Sequence, residues 1–210
     1  MKFKTLLISA ISALVASVLV VGAQVPGVNS TLASVFTLAY EASTSKATYS
    51  ATGALSPATN ATEVCTLSGS ASKTIRLRRI MLAAGATAVA TDPIEITKRS
   101  SINIAAGGVA LTKLPYDSSF AASTVGLAEA WPTTVTTLGT LVGVLADPLI
   151  TYNNYTTGVG SGNLIMEFGR FGSPVFLRGV SQYVSVNMAG VVPAGVRLAC
   201  TFEWTEDTDS

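Results

Sequence analysis

The stretch Thr74-Ile-Arg-Leu-Arg-Arg-Ile-Met-Leu82 alternates apolar and basic residues and then loses the count. Ile75 and Leu77 share one parity. Arg79 falls where the next apolar residue is due, and Ile80 and Leu82 resume on the opposite parity. A β-strand turns successive side chains to opposite faces, so an uninterrupted strand here would expose two aliphatics or bury an arginine without a partner, which is costly. One extra residue at Arg78 or Arg79 resets the count. Such a β-bulge leaves Ile75, Leu77, Ile80 and Leu82 on one face and Arg76, Arg78 and Arg79 on the other. We expect the bulge, with the arginines as a solvated or interface-facing basic stripe paired to Glu95 or Glu129. A nucleic-acid patch is the competing reading of the three arginines.

The two-residue period recurs along the chain. Strand candidates are 35–42, 47–52, 63–69, 74–83, 93–99, 124–131, 138–145, 163–169, 174–179, 182–188 and 195–206, separated by clusters of Gly, Pro, Asn and Ser. No window beyond the N-terminal stretch sustains a 3.6-residue apolar period. The pattern predicts an all-β chain: a single antiparallel β-sandwich, jelly-roll-like, over 35–210. The last candidate is the clearest. Val196, Leu198, Cys200, Phe202 and Trp204 share one face, and the acidic residues 205–210 are expected to end the chain in water.

Residues 1–23 read as a signal peptide or hydrophobic leader helix. Lys2 and Lys4 precede an apolar run, and Val21 and Ala23 occupy the small-residue positions of a cleavage site. An uncleaved anchor and a misplaced upstream start are the alternatives, so contact with a membrane is expected only through this segment. A polar lead, 24–34, separates it from the predicted strands. Cleavage takes two of the 13 basic residues and leaves the 12 acidic ones in slight excess. That balance is too weak to hold a nucleic acid by phosphate neutralisation. Charged residues are only 12% of the chain, and hydroxyl-rich, neutral surfaces suit a protein that packs beside copies of itself or lies outside the cell.

The chain has no histidine, which excludes Ser-His-Asp and Cys-His nucleophilic sites and imidazole metal ligands. No catalytic, cofactor-binding or metal residue is assigned, and no cofactor is expected. Cys65 and Cys200 both fall on the apolar parity of their strands; they either pair as a disulfide or remain two buried thiols. Glu41, Glu63, Asp92, Glu95, Asp117, Glu129, Asp147 and Glu167 are scattered, and Asp92, Asp117 and Asp147 stand in turn-like contexts, the first and last before proline. The glycine-rich 156–163 lacks the Lys and following helix of a phosphate loop and is expected to be a hairpin tip. Before it, Tyr152, Asn153, Asn154 and Tyr155 form either an ordinary loop or a ligand or partner loop of exposed aromatics and amides. Trp131 is expected to cover the core edge.

Several stretches carry a likeness: "FTLAYEASTSKATYSATGALSPA" (36–58), "SGSASKTIRLRRIML" (68–82), "PIEITKRSS" (93–101), "LPYDSSFAAS" (114–123), "VFLRGVSQYVSVNMAG" (175–190) and "VPAGVRLACTFEWTEDT" (192–208). In strand-turn rhythm, in the double basic step and in the closing strand, the chain resembles a group of bacteriophage virion structural proteins of β-sandwich type. The resemblance covers about Val35 to Glu206. It implies a coat or decoration component of heads or tails, with itself or other structural proteins as partners and no catalytic residues. The apolar leader departs from that group, whose members assemble in the cytoplasm. The resulting expectation is a non-enzymatic structural or assembly protein, in a virion or exported. The alternative is an exported binding module, for carbohydrate for example, working through Tyr152 and Tyr155.

Overall fold

In the computed structural model the described residues are 46–208, apart from 59, 61–62, 103–106, 158–161, 170–173 and 190–191. The expected leader, the polar lead and the strand candidate 35–42 lie outside them. The described residues are all-β, in two sheets that are antiparallel almost throughout.

The first sheet is built on β3 (Lys73–Ala86). One side of β3 pairs along its length with β14 (Arg197–Thr208), and β14 pairs in turn with β1 (Thr48–Leu55) and β1 with β7 (Lys113–Pro115). The other side of β3 is shared by three strands in succession: β12 (Val175–Leu177), β11 (Gly162–Glu167) and β10 (Leu149–Asn154). The β10 contact, Asn153 and Asn154 beside Gly85 and Ala86, is parallel; β4 (Ala90–Pro93) completes the sheet beyond β10. The second sheet runs β6 (Val109–Ala110), β8 (Ala128–Ala130), β2 (Glu63–Ser68), β13 (Tyr183–Asn187), β5 (Glu95–Arg99) and β9 (Leu141–Ala146).

The bulge in β3 is present. Glu203 stands opposite Arg79 and Trp204 opposite Leu77, so Arg78 has no ladder partner on β14. Nor has it one on the other edge, where β11 ends opposite Arg79 and β12 begins opposite Leu77. Its carbonyl instead accepts a hydrogen bond from Phe168 N at 2.8 Å. Ile75, Leu77, Ile80 and Leu82 are all buried as a result. A second bulge does the same for β2. Asn187 pairs with Glu63 and Val186 with Cys65, so Val64 is the extra residue. Val64, Cys65 and Leu67 then join the core while Glu63 turns to the other side.

Two long hairpin arms cross from one sheet to the other. β1 and β14 pair in the first sheet, and their continuations β2 and β13 pair in the second. β4 and β10 pair in the first sheet, and β5 and β9 in the second. The two Asp-Pro steps expected in turns stand instead at this second crossing. Asp92 and Pro93 close β4, Asp147 and Pro148 separate β9 from β10, and Ile94 N donates to Pro148 O at 2.8 Å. Proline interrupts a ladder without reversing the chain, which suits a strand changing sheets.

One hydrophobic cluster draws on both sheets, joining Ile75, Leu77, Ile80, Phe202 and Trp204 to Leu67, Ile96, Val184 and Val186. Each fully buried aliphatic of this kind contributes about 1.5–3 kcal/mol. Cys65 of β2 and Cys200 of β14 form a disulfide across the two sheets. It closes a loop of 135 residues, for which chain entropy gives about 5 kcal/mol.

The acidic end does not trail into water as expected. β14 continues to Thr208. Glu206 has the parity of Trp204 and is buried; it accepts hydrogen bonds from Ser123 Oγ (2.6 Å), Thr124 Oγ1 (2.8 Å), Thr124 N and Trp204 Nε1, and Lys73 pairs with it at 3.4 Å.

Candidate assembly surfaces

The arginine stripe lies on the outer face of the first sheet, where Arg79 finds its acid directly across the ladder on β14 and Arg76 finds its own diagonally. Arg79 Nε donates to Glu203 Oε2 at 2.9 Å and Nη2 to Oε1 at 2.7 Å, and Tyr116 OH donates to the same Oε1. Arg76 pairs with Asp207, which Lys46 also reaches at 2.8 Å. Arg76 and Arg178 sit over the Phe176 ring, 5.2 and 5.1 Å from its centroid. The expected partners, Glu95 and Glu129, belong to β5 and β8 of the second sheet and are not on this face. Arg78, exposed, lines an open polar cleft with Arg79, Glu167, Phe168 and Glu203. The cation on Arg79 is thus consumed within the sheet.

The pull on the two β14 carboxyls has the same balance. Burial raises Glu203, but hydrogen bonds from Arg79 and Tyr116 outweigh it and hold the carboxyl below its ordinary value. Burial raises Glu206 too, and the bonds from Ser123, Thr124 and Trp204 again win. Glu129 has burial alone, which pushes it up.

The Tyr152–Tyr155 stretch is not a single exposed loop. Ile150 and Tyr152 share the inward parity of β10, and Tyr152 is fully buried. Its hydroxyl is raised by burial and then by Asp92. Neither that hydroxyl nor Asp92 Oδ2 has a hydrogen-bond partner. Asn153 lies beside β3, and Asn154 Oδ1 accepts from Thr156 N (2.9 Å) and Oγ1 (2.6 Å), capping the 3-10 turn Tyr155–Thr157. Tyr155 OH donates to Gly195 O at 3.0 Å, and Arg197 covers its ring at 5.2 Å. These residues tie the turn to β14. Of the expected hairpin tip at 156–163, residues 158–161 lie outside the described residues; β10 before it and β11 after it both pair with β3.

The outer face of β2, β13 and β5 carries a buried polar network that the sequence did not announce. Glu63 and Arg99 form an ion pair that Thr97 joins. Arg99 Nη1 donates to Gly139 O at 2.6 Å, and Gly139 N donates to Tyr183 OH at 3.3 Å. Thr66 and Ser185 share a 3.0 Å hydrogen bond, and Trp131 Nε1 donates to Thr66 Oγ1 at 3.1 Å. The segment from Trp131 to Gly139 therefore lies over this face, held by polar groups at both ends, and Trp131 is buried rather than at the core edge alone. Ion pairs 36 residues apart in sequence leave no periodic signal.

A different surface stands out by what it lacks. Among the described residues β9 is the edge of the second sheet, and its apolar side chains face solvent: Leu141 is 51% exposed, Val142 61%, Val144 47% and Leu145 39%, with Leu149 at 68% just beyond. Contiguous exposed apolar side chains mark contact surfaces. Comparison with family models, with curated proteins and with solved structures found no match to this chain.

Proposed function

We propose that this chain is a non-enzymatic structural protein with a jelly-roll β-sandwich body, a coat or decoration component that associates with itself or docks on a larger shell. The observation that carries the reading is the exposed apolar β9 arm, set against a charged face on which Arg76 and Arg79 are already paired to acids of β14. Such a surface favours protein contacts over capture of a charged small molecule. Strand order supports the fold. The eight principal strands β1, β2, β3, β5, β9, β10, β13 and β14, taken in chain order as one to eight, stand 1-8-3-6 in one sheet and 2-7-4-5 in the other. That interlocking, with arms crossing between sheets, supports a jelly-roll plan, an architecture used in viral capsids as well as in lectins. The virion assignment itself rests on the sequence resemblance. The exported binding module draws no support from Tyr152, which is a core residue and not an exposed platform.

Light scattering during size exclusion, followed by negative-stain microscopy, tests the proposal. An ordered multimer indifferent to a glycan array is expected. A strict monomer that binds glycans overturns it.

A further inference from the structure

We propose that β9 is a self-complementary interface through which two copies of this chain meet about a two-fold axis at Gly143. The inference rests on the assembly reading and names its contact and partner.

The sheet edges differ in how they are guarded. β6 has two residues; β7 carries Lys113 and Pro115; β4 carries Asp92 and Pro93. Short, charged or proline-bearing edges block sheet extension. β9 has six residues and neither charge nor proline. It is bulged twice against β5: Leu145 falls between the pairs Ile96–Ala146 and Thr97–Val144, and Val142 between Lys98–Gly143 and Arg99–Leu141. A bulged edge offers little straight ladder to a foreign strand, so side chains carry the contact.

The sequence identifies the occupant. Leu141-Val-Gly-Val-Leu145 reads the same in both directions. An antiparallel copy turned about Gly143 sets Leu141 against Leu145 and Val142 against Val144, twice over. A two-fold interface requires one patch to complement itself. Gly143 lies at the axis, and a Cβ built on it meets nothing within 4 Å, so the copies can approach closely there. From Leu138 to Pro148 only Asp147 is charged, so the partner strip must be equally neutral. Stable interfaces bury about 800 Å² per partner over 20–30 residues. The palindrome supplies the apolar centre of such a patch, and dimerisation is therefore concentration-dependent.

The test uses the full chain. Gly143→Cys introduces the one free thiol, because the described cysteines are already bonded to each other. Mild oxidation is expected to give a covalent dimer. Val142→Asp and Val144→Lys, each alone, are expected to weaken association at least tenfold in sedimentation equilibrium, with circular dichroism and melting unchanged. Mixing the two variants is expected to restore dimers, because position 142 of one copy faces 144 of the other. A multimer untouched by these changes, with no crosslink, overturns this interface and leaves the assembly reading standing. A wild-type monomer overturns this interface, and overturns the assembly reading as well if it binds glycans.

Discussion

Glu203 lies directly opposite Arg79 across the β14–β3 ladder, and the residue before Arg79 has no opposite number at all. The bulge therefore places a two-pronged guanidinium–carboxylate contact immediately beside a reset of side-chain parity. Deleting Arg78 leaves Ile75, Leu77, Ile80 and Leu82 in unbroken alternation and keeps Arg79 facing Glu203. The deletion is expected to cost no more than about 2 kcal/mol in urea unfolding. Deleting Met81 instead reverses the parity of Leu82 and Ala84 against the rest of β3, and is expected to cost more than about 3 kcal/mol or to prevent folding.

Acid should loosen the β14 end of the molecule. Glu203 and Glu206 both have folded-state values below the ordinary 4.5. A depressed carboxyl contributes stability that is complete above its unfolded value and is lost as pH falls through the folded one. Urea midpoints are expected to hold from neutral pH down to about 5 and to drop below that. Glu206→Gln should lower the midpoint at pH 7 and flatten its decline, as a pH series of unfolding curves will show.

The Cys65–Cys200 bridge is fully buried and spans the two sheets. Replacing both residues by alanine is expected to lower unfolding free energy by about 3–5 kcal/mol. The protein should also migrate differently on reducing and non-reducing gels. Equal stability of the double variant would count against the bridge.

Gly139 is packed so closely that an added Cβ would stand 1.8 Å from Ser101 O and 2.7 Å from Tyr183 OH. Gly139→Ala must displace the segment that covers Glu63 and Arg99. We expect a loss of about 2 kcal/mol or more and faster exchange of the Arg99 amide, measured by hydrogen–deuterium exchange.

Tyr152 presents the converse case. Its buried hydroxyl has no hydrogen-bond partner, so Tyr152→Phe is expected to be neutral or to stabilise by up to about 1 kcal/mol. Tyr152→Ala should cost about 3–5 kcal/mol, as for a core aromatic. Thermal melts of the pair distinguish a packing residue from a ligand contact.

Much of the fold was legible because parity is a local signal. The alternation in β14 and the misplaced Arg79 each sit within one strand. The same signal was present in β10, where Ile150 and Tyr152 share a face, but the two asparagines and flanking tyrosines read as a loop. Glu63 also breaks the parity of β2, and only the pairing with β13 reveals the bulge at Val64 that relieves it. What was not legible depends on distant partners. Ser123 and Thr124 make Glu206 a buried anchor, although its own neighbours suggest a solvated tail. Asp92-Pro93 and Asp147-Pro148 look like turns, since proline signals the end of a ladder but not whether the chain reverses or changes sheets. The palindrome at 141–145 was visible from the start, yet only the edge position of β9 gives it meaning.

Among the described residues the first and last strands are neighbours, with Thr48 beside Thr205 and Glu206 N bonded to Ala47 O at 3.3 Å. The described residues thus begin and end side by side. A fluorescent or enzymatic passenger fused behind β14 would stand beside the start of β1. A short linker between the two would permit circular permutation, with fresh ends cut elsewhere.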